Sequence, residues 1–138
     1  MIGYLLDTNV VSEVRKRQNA SPNVLAWFET VESDKMFLSA LVLGEIRRGV
    51  EQARRTDSGG ARALERWLKG LEQRYGDRVL PVDTAVADQW GRLSAVRPLS
   101  IVDGLLAATA LVHKMTLVTR NVQHVVHTGV RLLNPFES

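Results

Sequence analysis

The chain switches repeatedly between short apolar runs and longer stretches with apolar residues at helical spacing. The short runs predict strands, at residues 2–6, 36–39, 79–82, 116–119 and 130–133. The helical spacing predicts helices at about residues 8–16, 23–31, 40–54, 61–75, 85–96 and 101–114, and residues 120–124 fit a loop or short helix. Because strands and helices alternate, we expect an α/β fold with a central parallel β-sheet and helices on both faces.

Turn residues separate these predicted elements. Ser21 followed by Pro22 is typical of a helix start, and Pro98 ends the fifth helix. The Thr-Asp-Ser-Gly-Gly stretch at residues 56–60 predicts a clean break between the third and fourth helices, which would form a helical hairpin. We find no repeat, and the length fits a single domain over residues 1–138.

Composition narrows the class of protein. Apolar residues make up 45% of the chain, which indicates a globular protein, and no apolar run approaches the roughly 20 residues of a membrane span. The absence of cysteine excludes disulfides and thiolate metal sites and fits the cytoplasm, and we see no signal peptide. The net charge of +3 is only a mild bias towards polyanions.

Three acidic residues occupy positions that favour chemistry. Asp7 directly follows the first strand, at the sheet edge where open parallel sheets bind ligands, although Asp there also caps helices. Glu45 falls on the apolar side of the third helix, where a carboxylate needs a partner unless it reaches water at the rim. Asp103 begins an apolar sixth helix, where a capping box with Ser100 would also explain it.

Clustered carboxylates without cysteine suit hard divalent cations, Mg²⁺ or Mn²⁺, which hold phosphate oxygens and activate water. Thr119 is the last residue of the predicted fourth strand and Asn121 lies just beyond it, so both should lie at the same sheet edge as Asp7. The histidines form no convincing site, and the spacing of His124 and His127 is a weak metal signal.

Four segments together resemble the motifs of the PIN-domain family. They are residues 5–13 (LLDTNVVSE), residues 38–49 with Gly44-Glu45-Ile46, residues 103–110 (DGLLAATA) and residues 117–121 (LVTRN). The order and spacing of these motifs fit the whole chain. The nearest subgroup is the VapC-like toxins of type II toxin–antitoxin systems, including those called FitB-like.

This resemblance implies a PIN fold and a Mg²⁺- or Mn²⁺-dependent endoribonuclease that cleaves RNA. It further implies a VapB-like antitoxin partner, and we also expect a homodimer. By motif position, Asp7, Glu45 and Asp103 are the predicted catalytic and metal-binding residues. Candidates for auxiliary or phosphate contacts are Thr8, Asn9, Thr119 and Asn121.

The last motif departs from the four-acid pattern, because Asn121 and His124 stand where many relatives have Asp. This favours one well-held cation, and it leaves open a PIN-like module that binds nucleic acid or protein without cutting. A haloacid-dehalogenase-like hydrolase is a weaker alternative, since that family needs a second Asp where this chain has Asn9.

Overall fold

Five short parallel strands form the centre of the computed structural model, which describes residues 2–137. They are β1 (Tyr4–Leu6), β2 (Met36–Ser39), β3 (Val79–Leu80), β4 (Thr116–Val118) and β5 (Arg131–Leu133). Their order across the sheet is β3-β2-β1-β4-β5. The predicted parallel sheet is confirmed, with β1 in the middle and the side chains of Leu5 and Leu6 fully buried.

Within residues 2–137, seven α-helices connect and cover the strands. They are α1 (Thr8–Arg15), α2 (Pro22–Thr30), α3 (Ala40–Arg54), α4 (Ser58–Tyr75), α5 (Thr84–Val96), α6 (Ile101–Val112) and α7 (Val122–Val125). All except the short α7 begin at a side-chain oxygen that accepts a backbone N–H. No helix between residues 2 and 137 is long and apolar enough to cross a membrane.

The helical hairpin of α3 and α4 is present, but the predicted break at residues 56–60 is too long. Helix α4 begins at Ser58, so Gly59 and Gly60 lie in its first turn. Asp57 caps the helix by accepting the Gly60 amide at 2.9 Å. A Cβ atom at Gly60 would collide with the Asp57 carboxylate. Glycine here therefore makes room for the cap rather than ending a helix.

Several aromatic side chains pack against one another and against the core. Trp27 lies edge-on to Tyr4 and to Phe28, with ring centroids 5.3 and 5.2 Å apart. These rings and Trp67 are partly buried against the core. Large exposed apolar side chains are aliphatic instead: Ile2, Val82, Val96, Ile101 and Val126.

The strand register decides where the polar side chains meet. Leu6 on β1 is paired with Val118 on β4, so the residues after them, Asp7 and Thr119, leave the sheet side by side. The Asp7 amide donates to the Val118 carbonyl at 2.9 Å, which continues the pairing one residue beyond the strand. The carboxyl edge of the sheet thus brings together residues more than 100 positions apart.

Candidate active site

Asp7 is the most enclosed acidic residue at this edge, with a relative exposure of 7%. It caps α1 by accepting the Thr8 amide at 2.7 Å, so the capping role expected for this residue is real. Burial raises the pKa of the Asp7 carboxyl, the hydrogen bonds from Thr119 and the Thr8 amide lower it, and the charges of Asp103 and Glu45 raise it further. No cationic side chain is among these causes.

A polar network holds the Asp7 carboxylate in one orientation. The Thr119 hydroxyl donates to Asp7 Oδ2 at 2.8 Å, and the Asn9 amide donates to the same oxygen at 3.3 Å. Asn9 Oδ1 in turn accepts the Arg120 backbone N–H at 3.2 Å. Two of the predicted auxiliary residues, Thr119 and Asn9, therefore contact Asp7 directly and fix it between β1 and β4.

Glu45 reaches the same region from α3. Its Oε1 accepts the Thr8 hydroxyl at 2.5 Å, which links the third helix to the start of α1. Its side chain retains 26% exposure, and Oε2 lies 4.0 Å from the Arg48 guanidinium. The Glu45 carboxylate on the apolar side of α3 is thus both hydrogen-bonded to Thr8 and partly exposed to solvent.

Asp103 stands in the first turn of α6. Its amide donates to the Ser100 hydroxyl at 3.2 Å, which is one half of the expected capping box. The carboxylate faces His124 instead, with Oδ2 3.3 Å from Nδ1. Our expectation that the histidines form no site missed this contact, because the two side chains come from α6 and α7 and no sequence spacing relates them.

The acidic side chains at this edge of the sheet are not arranged as a metal-binding site in the described structure. Within residues 2–137, no three or more His, Cys, Asp or Glu side chains are grouped so that they could hold a metal ion. Glu45 is engaged by Thr8 and Asp103 faces His124. The expected convergence of Asp7, Glu45 and Asp103 on one cation is therefore absent from these side-chain positions, and their metal-binding role stays a prediction.

Asn121 lies beside the network without joining it through its side chain. Its backbone N–H donates to the Thr119 hydroxyl at 3.0 Å, and the residue is exposed at the start of α7. Arg120 was not singled out by the sequence. Its guanidinium carbon lies 4.5 Å from the centroid of the Phe136 ring.

Comparison with known proteins identifies the family of this chain. The family model described as PIN domain matches residues 4–125. The chain belongs to the PIN-domain family. Among named relatives, Toxin FitB of Neisseria gonorrhoeae is 30% identical, covering 96% of this chain and 97% of its own. VapC ribonuclease Y4jK of Sinorhizobium fredii is 31% identical over 96% of this chain and 97% of the relative.

Solved structures support the same family. The crystal structure of FitAcB from Neisseria gonorrhoeae matches with a TM-score of 0.86 and 29% identity, covering 98% of this chain and 99% of that one. The structure of FitAB bound to an IR36 DNA fragment matches with a TM-score of 0.87 and 28% identity, covering 98% and 96%. The PIN-domain membership and fold implied by the four motifs are therefore confirmed.

Proposed function

We propose that this PIN-domain protein is the ribonuclease toxin of a type II toxin–antitoxin pair, which hydrolyses RNA phosphodiester bonds with Mg²⁺ or Mn²⁺. One observation carries the proposal. A buried carboxylate, Asp7, stands with Glu45 and Asp103 in its electrostatic reach at the carboxyl edge of the sheet, in a chain related to VapC and FitB proteins.

The chemistry of these donors fits a divalent cation. The charges of Asp103 and Glu45 raise the pKa of the Asp7 carboxyl, and no cation is among the influences on Asp7. Carboxylate oxygens are the ligands that Mg²⁺ and Mn²⁺ prefer. Asp7, Glu45 and Asp103 would hold the ion. When bound, such an ion stabilises charge on a phosphate and lowers the pKa of water.

The protein's own groups have separate tasks in this proposal. Thr119 and Asn9 hold the Asp7 carboxylate in place through Oδ2, and Thr8 holds Glu45. Hydrolysis forms a bond from the oxygen of water to phosphorus and breaks one phosphorus–oxygen bond of the RNA backbone. The departing sugar oxygen takes up a proton, and the attacking water loses one.

A protein partner is the second part of the proposal. The similar structures named FitAB and FitAcB support a FitA-like or VapB-like antitoxin for this chain. A cavity of about 620 Å³ between α1, α2 and α4 offers it a surface. Valine, leucine and aromatic side chains share its lining with four arginines, Arg15, Arg17, Arg66 and Arg74, so we expect an acidic segment with large apolar side chains.

We further propose a homodimer that acts in the cytoplasm, where its RNA substrate lies. The exposed aliphatic residues Val82, Val96 and Ile101 favour burial against a second copy. Light scattering of the purified chain tests the dimer, and a monomer at high concentration would contradict it.

Cleavage of a mixed RNA pool tests the nuclease. We expect cleavage with Mn²⁺ or Mg²⁺, none with a chelator, and none by Asp7→Asn or Asp103→Asn, since each loses charge with little change of shape. Asp88→Asn is the matched control, because Asp88 is exposed on α5 and pairs only with Arg92 among residues 2–137. A folded parent chain that binds RNA but never cuts it would favour the non-cleaving binding module.

A further inference from the structure

Arg120 is an exposed residue whose backbone is hydrogen-bonded to the network around Asp7. It follows Thr119, whose hydroxyl donates to Asp7, and its own N–H donates to Asn9 Oδ1 at 3.2 Å. Asn9 also contacts Asp7. The position of the Arg120 main chain relative to the Asp7 carboxylate is therefore set by two independent hydrogen-bonded links.

The Arg120 side chain lies over the ring of Phe136. The guanidinium carbon is 4.5 Å from the ring centroid. In the part of the chain that the structure describes, no Asp or Glu oxygen lies within 4.0 Å of its nitrogens. A ring contact holds the guanidinium by cation–π attraction, and it leaves donors free for another acceptor.

The ring itself is anchored. The Phe136 carbonyl accepts the side-chain amide of Asn23 on α2 at 2.8 Å, and its N–H donates to Asn134 Oδ1 at 3.0 Å. Pro135 between them is buried. The C-terminal turn is thus tied to the body of the protein and gives Arg120 a fixed platform beside the acid site.

The electrostatics of the proposed reaction explain why such a cation is useful. Three carboxylates repel the RNA backbone, and a cation at the edge of the site offsets that repulsion for a neighbouring phosphate. A planar guanidinium can donate two parallel hydrogen bonds to phosphate oxygens, which orients the strand as well as attracting it.

We propose that Arg120, held by Phe136, is a substrate-positioning residue that binds a backbone phosphate of the RNA next to the bond being cut. This inference rests on the proposed ribonuclease function and assigns a residue to the binding of its RNA substrate. The C-terminal turn then belongs to the substrate-binding surface and is more than the end of the last strand.

The test measures RNA binding and cleavage separately. Binding of a labelled single-stranded RNA is followed by fluorescence anisotropy across a salt series, in an Asp103→Asn background that prevents cleavage. We expect Arg120→Ala to weaken binding by about tenfold at low salt and to reduce the slope of log affinity against log salt by about 0.7, the value for one phosphate contact on a single strand.

Two further variants and a control sharpen the result. Arg120→Lys keeps the positive charge but lacks the planar guanidinium that donates two parallel hydrogen bonds. We therefore expect it to retain the salt slope and recover only part of the affinity for RNA. Phe136→Leu should weaken binding by about threefold without changing the slope, since loss of the ring costs cation–π support. Arg62→Ala, which removes an exposed arginine on α4, should leave both quantities unchanged.

Cleavage of RNA by variants that retain Asp103 gives the second measurement. We expect Arg120→Ala to raise KM with a smaller change in kcat, as for a group that holds substrate and transition state alike. A parent chain that cleaves RNA while Arg120→Ala keeps its affinity, slope and KM would overturn this inference alone. Failure of the parent to bind or cleave RNA would overturn the proposed function and this inference together.

Discussion

Thr119 and Asp7 are joined by a 2.8 Å hydrogen bond across 112 positions of sequence, and the bond is buried. Thr119 follows β4 and Asp7 follows β1, so the pairing of two central strands places one hydroxyl on one carboxylate oxygen. The same hydroxyl accepts the Asn121 backbone N–H at 3.0 Å. Thr119 therefore connects the most buried acid to the loop that begins α7.

Removing this hydroxyl should weaken cation binding without unfolding the protein. We expect Thr119→Val to lower Mn²⁺ affinity by about tenfold, which is the lower end of the losses seen when a residue that orients a metal ligand is mutated. Thr116→Val is the control, because Thr116 is buried on β4, three residues before Thr119, and makes no hydrogen bond with Asp7 among the described residues. Calorimetric titration gives both affinities, and equal values would mean that Thr119 does not orient Asp7.

Ionised Asp7 should destabilise the metal-free protein. Its folded-state pKa lies above 3.8, the ordinary value, because burial is the largest influence. The folded state therefore holds the Asp7 proton more tightly than the unfolded chain. That contribution to stability is complete below pH 3.8 and is lost as the pH rises through the raised pKa.

We accordingly expect Asp7→Asn to raise Tm at pH 7 in the presence of a chelator, by about 3–5 °C if the gain is near 1 kcal/mol. The difference from wild type should shrink on acidification towards pH 4. Asp88→Asn, at an exposed position, serves as control. A lower Tm for Asp7→Asn at pH 7 would show that the hydrogen bonds to Asp7 outweigh its burial.

Glu65 should show the opposite dependence on pH. Hydrogen bonds from Arg47 and Arg54 lower the pKa of Glu65 from 4.5 to about 2. Its contribution to stability is thus present above pH 4.5 and is lost as the pH falls through about 2. We expect Glu65→Gln to lower Tm at neutral pH, less so in high salt, and the difference should shrink as the pH falls towards 2 and vanish below it. Glu72→Gln, at an exposed position on the same helix, is the control.

Gly104 keeps α5 close to the helix that carries Asp103. A Cβ atom there would lie 2.9 Å from Trp90 Cδ1, so Gly104→Ala must move a large ring. We expect a loss of about 1–3 kcal/mol in unfolding free energy and weaker Mn²⁺ binding through the displaced Asp103. Gly91→Ala has open space around its new methyl group and should stabilise the protein slightly. Chemical denaturation of both variants checks this pair.

The altered fourth motif gives a gain-of-function test. We expect Asn121→Asp to tighten Mn²⁺ binding and leave folding nearly unchanged, since the residue is exposed two positions from Thr119. Gln123→Glu adds the same charge nearby and is the control. If the two variants bind Mn²⁺ equally well, or neither differs from wild type, then a carboxylate at position 121 does not contact the bound ion.

Residues close in sequence were predicted better than contacts between distant side chains. The strand at residues 36–39 and the helix at residues 40–54 match β2 and α3, since periodicity and the Ser39 cap act locally. The meeting of Asp7 and Thr119 also followed from the shared edge of parallel strands. The contact of Asp103 with His124 did not, because it depends on how two helices pack.

The strand order has a consequence for how the protein is made. Asp7 leaves the ribosome 112 residues before its hydroxyl partner Thr119, and β1 leaves long before the flanking strand β4. A growing chain that lacks β4 leaves one side of β1 unpaired and Asp7 open to water. The hydrogen bond that fixes the Asp7 carboxylate can therefore form only after β4 and Thr119 have been synthesised, so the oriented acid is a late product of folding.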